Sequence, residues 1–225
     1  MSELTQSLPA CLLSQKVLAL TPSLLLWHLP AASHCLHVAS VTGDTVTIPA
    51  PWPSLLLCVT VGRSGKLELH LAAIRRQGRP AGHTPLYHAP FMNIDDNGLF
   101  LGELNSAPAH LDPRSLEQWE DTLYGFRFSV VGHEKTLRPA DMSPGATING
   151  YHHARAWREI SRSGVDRFPG QMLVPRKQTL QQWLIERDNA SLKVETTKRA
   201  ARPGPAALAL VQDSSVMRRN GIALG

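Results

Sequence analysis

The run Leu86-Tyr87-His88-Ala89-Pro90-Phe91-Met92-Asn93-Ile94-Asp95-Asp96-Asn97-Gly98-Leu99-Phe100-Leu101-Gly102-Glu103 is where the fold of this chain is decided. Asn97-Gly98 marks a tight turn, because such turns need residues that accept a positive φ. Extended apolar pieces flank it on both sides. By itself the run is a surface hairpin. Asn93-x-Asp95-x-Asn97-Gly98 also copies the front half of a calcium-binding EF-hand loop. The copy breaks down, however: the first ligand is Asn, and the twelfth position, which needs a bidentate Glu, is Leu104. Strands rather than helices are expected around it, so no metal site is expected there.

Upstream, residues 16–20, 24–28, 36–41 and 45–49 are short apolar or β-branched runs punctuated by Pro22, Pro30 and Thr42-Gly43-Asp44. Ser54–Val61 is apolar at nearly every position, as a strand covered on both faces would be. The Arg63-Ser64-Gly65 turn then leads into residues 66–74, where Leu67, Leu69 and Leu71 alternate as in a hairpin partner. The expectation is an antiparallel meander running on into a flap at residues 86–93. Downstream the pattern turns helical. Asp112-Pro113 is a helix start, with Asp as cap and Pro where its missing N–H costs nothing. Leu116, Trp119, Leu123 and Phe126 follow at helical spacing. Residues 153–163, around Trp157 and Ile160, and 178–188, with Leu180, Trp183 and Leu184, predict two more helices. Strands first and helices afterwards predict an α+β fold.

Apolar residues make up 43% of the 225 and charged residues 18%, a globular composition able to bury a core. Cys11, Cys35 and Cys58 are an odd set without CxxC spacing, which suits a reducing cytosol. No basic residue precedes Lys16, and the most apolar stretch, residues 18–29, falls short of a bilayer span. A cytoplasmic location is therefore expected. The net charge of +5 is concentrated at the end: residues 189–225 hold six basic and two acidic side chains, leaving 17 against 16 in the rest. The folded body is nearly neutral, so nucleic acid is not the expected partner beyond weak contacts by that tail. Residues 14–188 are read as the domain, and 189–225 as a basic tail without periodicity, expected to be disordered.

The decisive run resembles the flap and active-site segment of ubiquitin-conjugating enzymes (UBC fold). Those enzymes carry a proline-rich flap, a His-Pro-Asn motif, a turn ending Asn-Gly, and a strand with Cys-Leu-Asp. Here Phe91-Met92-Asn93 stands in place of His-Pro-Asn, Asp95-Asp96-Asn97-Gly98 in place of the turn, and Leu101-Gly102-Glu103 in place of Cys-Leu-Asp. The spacing from Asn93 to Leu101 is the family's eight residues. A narrower resemblance is to PRTRC system protein B, a prokaryotic UBC-like family. It is carried by residues 84–93, by Phe126-Arg127-Phe128-Ser129 leading to His133, and by Phe168-Pro169 with Leu173-Val174-Pro175. The resemblance implies a UBC-like α+β domain working beside a ThiF-type activating enzyme, a ubiquitin-like protein and a JAB-type peptidase, with a ParB-related protein nearby.

The same resemblance makes Asn93 the counterpart of the oxyanion-stabilising asparagine, and Leu101 the counterpart of the thioester cysteine. Leucine has no lone pair with which to attack a carbonyl, so the chain is expected to bind rather than to catalyse. The alternative is a conjugating enzyme that uses another cysteine. Tyr87, His88, Pro90, Phe91, Trp119 and His133 are the candidate binding residues around the motif, with His88 and His133 also candidate acid–base groups. Cys58, within an apolar run, reads as a small buried hydrophobe. His152-His153 lacks a partner at metal-ligand spacing, and Trp119, Trp157 and Trp183 read as core anchors. No phosphate loop, dinucleotide turn or nucleophile elbow is present, and no cofactor is expected.

Overall fold

A computed structural model of the chain describes residues 13–39, 43–62, 65–95, 98–99, 108, 110–132, 136–139, 141–143 and 147–201, with side chains to residue 190. Within these, strands β1 to β11 and helices α1 to α3 give the α+β class that the order of periodicities predicts. The centre is the antiparallel pair β5 (Ser54–Val61) and β6 (Leu67–Ile74), in register from Ser54↔Ile74 to Val61↔Leu67. Both faces of β5 are covered. Leu55, Leu57 and Val59 enter a larger core; Leu56 and Cys58 enter a smaller one with Leu180 and Trp183.

β2 (Leu24–Leu29), buried at all six positions and apolar at all but His28, pairs directly with β5, and β1 (Val17–Thr21) lies outside it. β7 (Pro85–His88) extends the other side beyond β6, and β11 (Pro175–Thr179) closes it, giving the order β1-β2-β5-β6-β7-β11. The intervening β3 (Ser33–Ala39) and β4 (Thr45–Pro51) leave this sheet and form a smaller one with β10 (Arg127–Phe128), which runs parallel to β3. Periodicity explains the separation. β3 buries Leu36 and Val38 while Cys35 faces out, so it can cover a core but cannot sit in the middle of one. Pro49 and Pro51 are tolerated because β4 is an edge strand. The meander is thus interrupted by a hairpin folded over the larger core.

Asp112 caps a short 3-10 turn, Pro113–Ser115, by accepting from the Arg114 N–H at 2.8 Å. α1 (Leu116–Tyr124) follows and buries Leu116, Trp119 and Leu123. Its Glu120, buried, accepts from Trp27 Nε1 at 3.2 Å and from Lys16 Nζ at 2.8 Å, tying β1 and β2 to the helix. α2 (Gly150–Arg162) starts at Asn149, whose side chain accepts from the His152 N–H at 3.0 Å. α3 (Leu180–Ala201) begins with reciprocal capping between Thr179 and Gln182: the Thr179 N–H donates to Gln182 Oε1 at 2.9 Å. Farther along, Thr21 Oγ1 and Ser23 Oγ both donate to Asp188 Oδ1, fixing α3 across β1 and β2. The helix continues past Asn189, where composition predicts a tail, to Ala201. Alanine, lysine, arginine and glutamate in that stretch are all good helix formers. The rest of the expected tail lies outside the described residues.

Candidate functional site

The flap is built from the sheet outward. β7 pairs with β6 through Ala72↔His88 and Ala73↔Tyr87, and the His88 N–H donates to Val174 O at 2.9 Å. Tyr87 is half-buried with the Arg75 guanidinium 4.5 Å above its ring. At Pro90 the chain turns tightly, the Phe91 N–H reaching Ala89 O at 2.9 Å. Pro90 O accepts from the buried Trp157 Nε1 at 3.0 Å. Phe91 is fully buried. It stacks on Trp157 (centroids 5.7 Å, planes 6° apart) and Phe128 (5.3 Å, 17°), and meets Trp52 at 4.6 Å. Aromatic pairs of this kind are worth about 0.5–1.5 kcal/mol each beyond the area they bury.

Asn93 lies in the left-handed region at φ 58°. Its Oδ1 accepts from the Ser129 N–H at 2.7 Å and the Val130 N–H at 3.1 Å, and its Nδ2 donates to Ser129 Oγ at 3.3 Å. Its own N–H donates to Val130 O at 2.5 Å. The carboxamide therefore ties the flap to the segment after β10. β8 (Ile94–Asp95) and β9 (Gly98–Leu99) then pair as a two-residue hairpin, Asp95↔Gly98, as Asn97-Gly98 predicts; the turn residues Asp96 and Asn97 themselves lie outside the described residues. Gly98, at φ 120°, has no room for a side chain, since a Cβ would stand 2.7 Å from Leu69 O and 2.9 Å from His70 Nδ1. On the other flank a Cβ on Gly132 would stand 2.7 Å from Ile94 O. The hairpin is held between two backbones at glycine distance.

Tyr87, His88, Pro90, Phe91 and Asn93 are thus contiguous along the flap, but Pro90 and Phe91 hold it from inside the core. Trp119 is fully buried in α1 and offers no surface to a partner. Leu101 and His133 lie outside the described residues. Two neighbours of the site escape the motif reading. Ser129 belongs to the Phe126-Arg127-Phe128-Ser129 run, but nothing in that run points to Asn93, because the link is tertiary. His70 departs from the Leu67, Leu69, Leu71 alternation and points to the opposite face. It shares a 2.9 Å hydrogen bond with Thr60 Oγ1, while its buried Nδ1 has no partner. Burial, helped by the positive charges of Arg187 and Arg176, pushes its pKa down to about 3.

Two of the three thiols fall among the described residues. Cys58 is fully buried in β5, and burial pushes its pKa up to about 12, where almost no thiolate exists at neutral pH. Cys35 is exposed, on the outer face of β3. Phe128 pairs with Val38, so Ser129 stands level with Ala39, and Cys35 is four residues back along the strand, about 13 Å away. Cys11 lies outside the described residues. The EF-hand reading fails on the geometry of Asn93, whose side-chain oxygen is already taken by two N–H groups. Among the described residues no cluster of three His, Cys, Asp or Glu side chains is placed to hold a metal ion. His153 is fully buried in α2 with neither ring nitrogen bonded among the described residues, and burial lowers its pKa to about 3.

A model of prokaryotic E2 family D matches residues 1–176. The chain belongs to this family. The family-D match takes in β1 to β10, α1, α2 and the whole flap, and ends inside β11, so that α3 lies beyond it. The UBC-like α+β fold class agrees with that membership, and the prokaryotic E2 assignment links the chain to ubiquitin-like conjugation components. No curated protein and no solved structure matches the chain. Among the described residues no helix is long and apolar enough to cross a membrane.

Proposed function

We propose that this family-D protein is a non-catalytic UBC-like component of a PRTRC-type ubiquitin-like system, binding a ubiquitin-like protein or its ThiF-type activating enzyme. One observation carries the reading: leucine occupies position 101, eight residues after Asn93, where the resemblance puts the thioester cysteine. Two features support it. Cys58 is buried with a strongly raised pKa, and exposed Cys35 is about 13 Å along β3 from the residue that Asn93 binds. Asn93 in turn spends its carboxamide oxygen on the Ser129 and Val130 amides, a positioning role that needs no nucleophile nearby.

The test is to incubate the chain with the activating enzyme, the ubiquitin-like protein and ATP, then to separate the products with and without thiol reductant. The expected result is binding of one of these partners with no reducible adduct. Leu101→Cys is the gain-of-function arm, expected to carry a thioester that the natural chain does not. A reducible adduct on the natural chain that disappears in Cys35→Ser or Cys58→Ser would instead make the protein a conjugating enzyme with a relocated thiol.

A further inference from the structure

The solvent-facing side of α2 carries a pattern that neither the fold nor the flap uses. At 100° per residue, Tyr151, Arg155, Arg158 and Arg162 fall within an arc of about 60° and form a straight ridge about 16 Å long. The opposite side holds the buried His153, Ala156, Trp157 and Ile160. Tyr151 is 69% exposed, and Arg158 and Arg162 are exposed as well.

An ordinary solvated helix alternates charge signs along its face, because like charges three or four residues apart repel by a few tenths of a kcal/mol. This ridge instead stacks three arginines at such spacings. Arg155 is neutralised by Asp141 and by Glu159 at 3.3 Å. Arg158 and Arg162 have no ion pair among the described residues. The helix dipole favours a cation in the last turn and so accounts for Arg162. It accounts for neither Arg158 nor an exposed aromatic at Tyr151. Tyrosine and arginine are the side chains that most often anchor protein interfaces, through amphipathic area and a planar fork matched to carboxylates.

We propose that this ridge docks an acidic protein segment whose carboxylates are spaced one helical turn apart, about 6 Å, to meet Arg158 and Arg162. Tyr151 packs on the apolar side of the same segment. Asp141 and Glu159, beside Arg155, select a discrete carboxylate pair over a phosphate backbone, which lays down charge continuously and would meet their repulsion. The inference does not depend on whether the flap is catalytic.

The experiment uses the full chain and a fluorescent helical peptide of about 20 residues with glutamates at i, i+4 and i+7 beside a leucine. A scrambled peptide of the same composition and a short DNA duplex are the controls, all at low ionic strength. The expected result is patterned-peptide binding at least ~10-fold tighter than to the scrambled one. Arg158→Glu with Arg162→Glu should bring it down to the scrambled level at an unchanged melting temperature. A lysine-patterned peptide should restore binding to that variant. Arg158→Gln with Arg162→Gln should weaken binding by a smaller factor. Equal affinity for the two peptides overturns the proposal. So does duplex binding that exceeds peptide binding and is lost in the variants. Self-association through the exposed Glu117 and Asp121 of α1, without peptide binding, overturns it as well.

Discussion

At the flap, Asn93 does with its side chain what a strand residue does with its carbonyl, accepting two consecutive backbone N–H groups from Ser129 and Val130. Removing it leaves those donors without their partner and places a side chain with a Cβ but no compensating bonds at φ 58°. Asn93→Ala is therefore expected to destabilise the chain by about 1–3 kcal/mol, read as a lower urea midpoint with an unchanged slope. Asn93→Gly relieves the backbone but not the lost bonds, so it should recover only part of that loss. Asn93→Asp keeps the acceptor and loses only the donor to Ser129 Oγ, and should cost least. A melt in which Asn93→Asp is as damaging as Asn93→Ala would mean that the amide nitrogen, not the oxygen, holds the flap. The sequence shows that an asparagine stands here and that a turn follows. It does not show Ser129, 36 residues on, because that contact forms only once β10 lies beside β3. Phe91 is the converse case: its motif position suggests a binding surface, and its neighbours Trp52, Phe128 and Trp157 make it a core residue.

Among the elements, the strands were legible, but the single meander expected was not what formed: β3 and β4 leave the large sheet. Uninterrupted apolar runs went to the middle of the large sheet, and the alternating β3 went to the lid over the larger core. The Asp112-Pro113 helix start was legible for the same local reason. β11 was not, because Pro175-Arg176-Lys177-Gln178-Thr179 has no strand pattern and is a strand only by virtue of Tyr87 and Pro85 opposite. The helical spacing of Leu180, Trp183 and Leu184 was legible, and in the structure the capping box of Thr179 and Gln182 marks where α3 begins. α3 is held at both ends of its first turns, by Leu180 and Trp183 in the smaller core and by Asp188 on Thr21 and Ser23. Truncation after residue 189 keeps all of these, so the melting temperature should move by no more than a few degrees. Truncation after residue 179 exposes the α3-facing side of β2, β5 and β6 and removes a fully buried tryptophan. Large core deletions of that kind cost about 3–5 kcal/mol for the aromatic alone, so this variant should be largely unfolded or aggregated at room temperature. A large loss of melting temperature in the longer truncation would show that the second half of α3 packs on the body.

Beside His28, whose pKa burial and the charge of Arg79 lower, the described residues bury two imidazoles with pKa values near 3 against an ordinary value of 6.5: His70 under the flap hairpin and His153 inside α2. Between those values the unfolded chain binds protons that the folded chain refuses. Stability is therefore fully present above pH 6.5 and is lost as pH falls toward 3. At pH 5 the loss is on the order of 2 kcal/mol for each histidine, a large share of what a domain of this size has to spare. Chemical melts at pH 7.5 and pH 5 should show the drop well above the range in which Asp and Glu side chains titrate. His153→Leu separates this cause from the carboxylates, because it removes one titrating group while keeping an apolar side chain of similar size in the core. Its pH 7.5 stability should differ little from that of the natural chain. The difference between pH 7.5 and pH 5 should shrink by about half, and His70→Gln should take away a further part at some cost to the Thr60 hydrogen bond. If both variants keep the full pH slope of the natural chain, the acid sensitivity does not reside in His70 or His153, and His28, lowered in pKa by burial and Arg79, becomes the group to remove next.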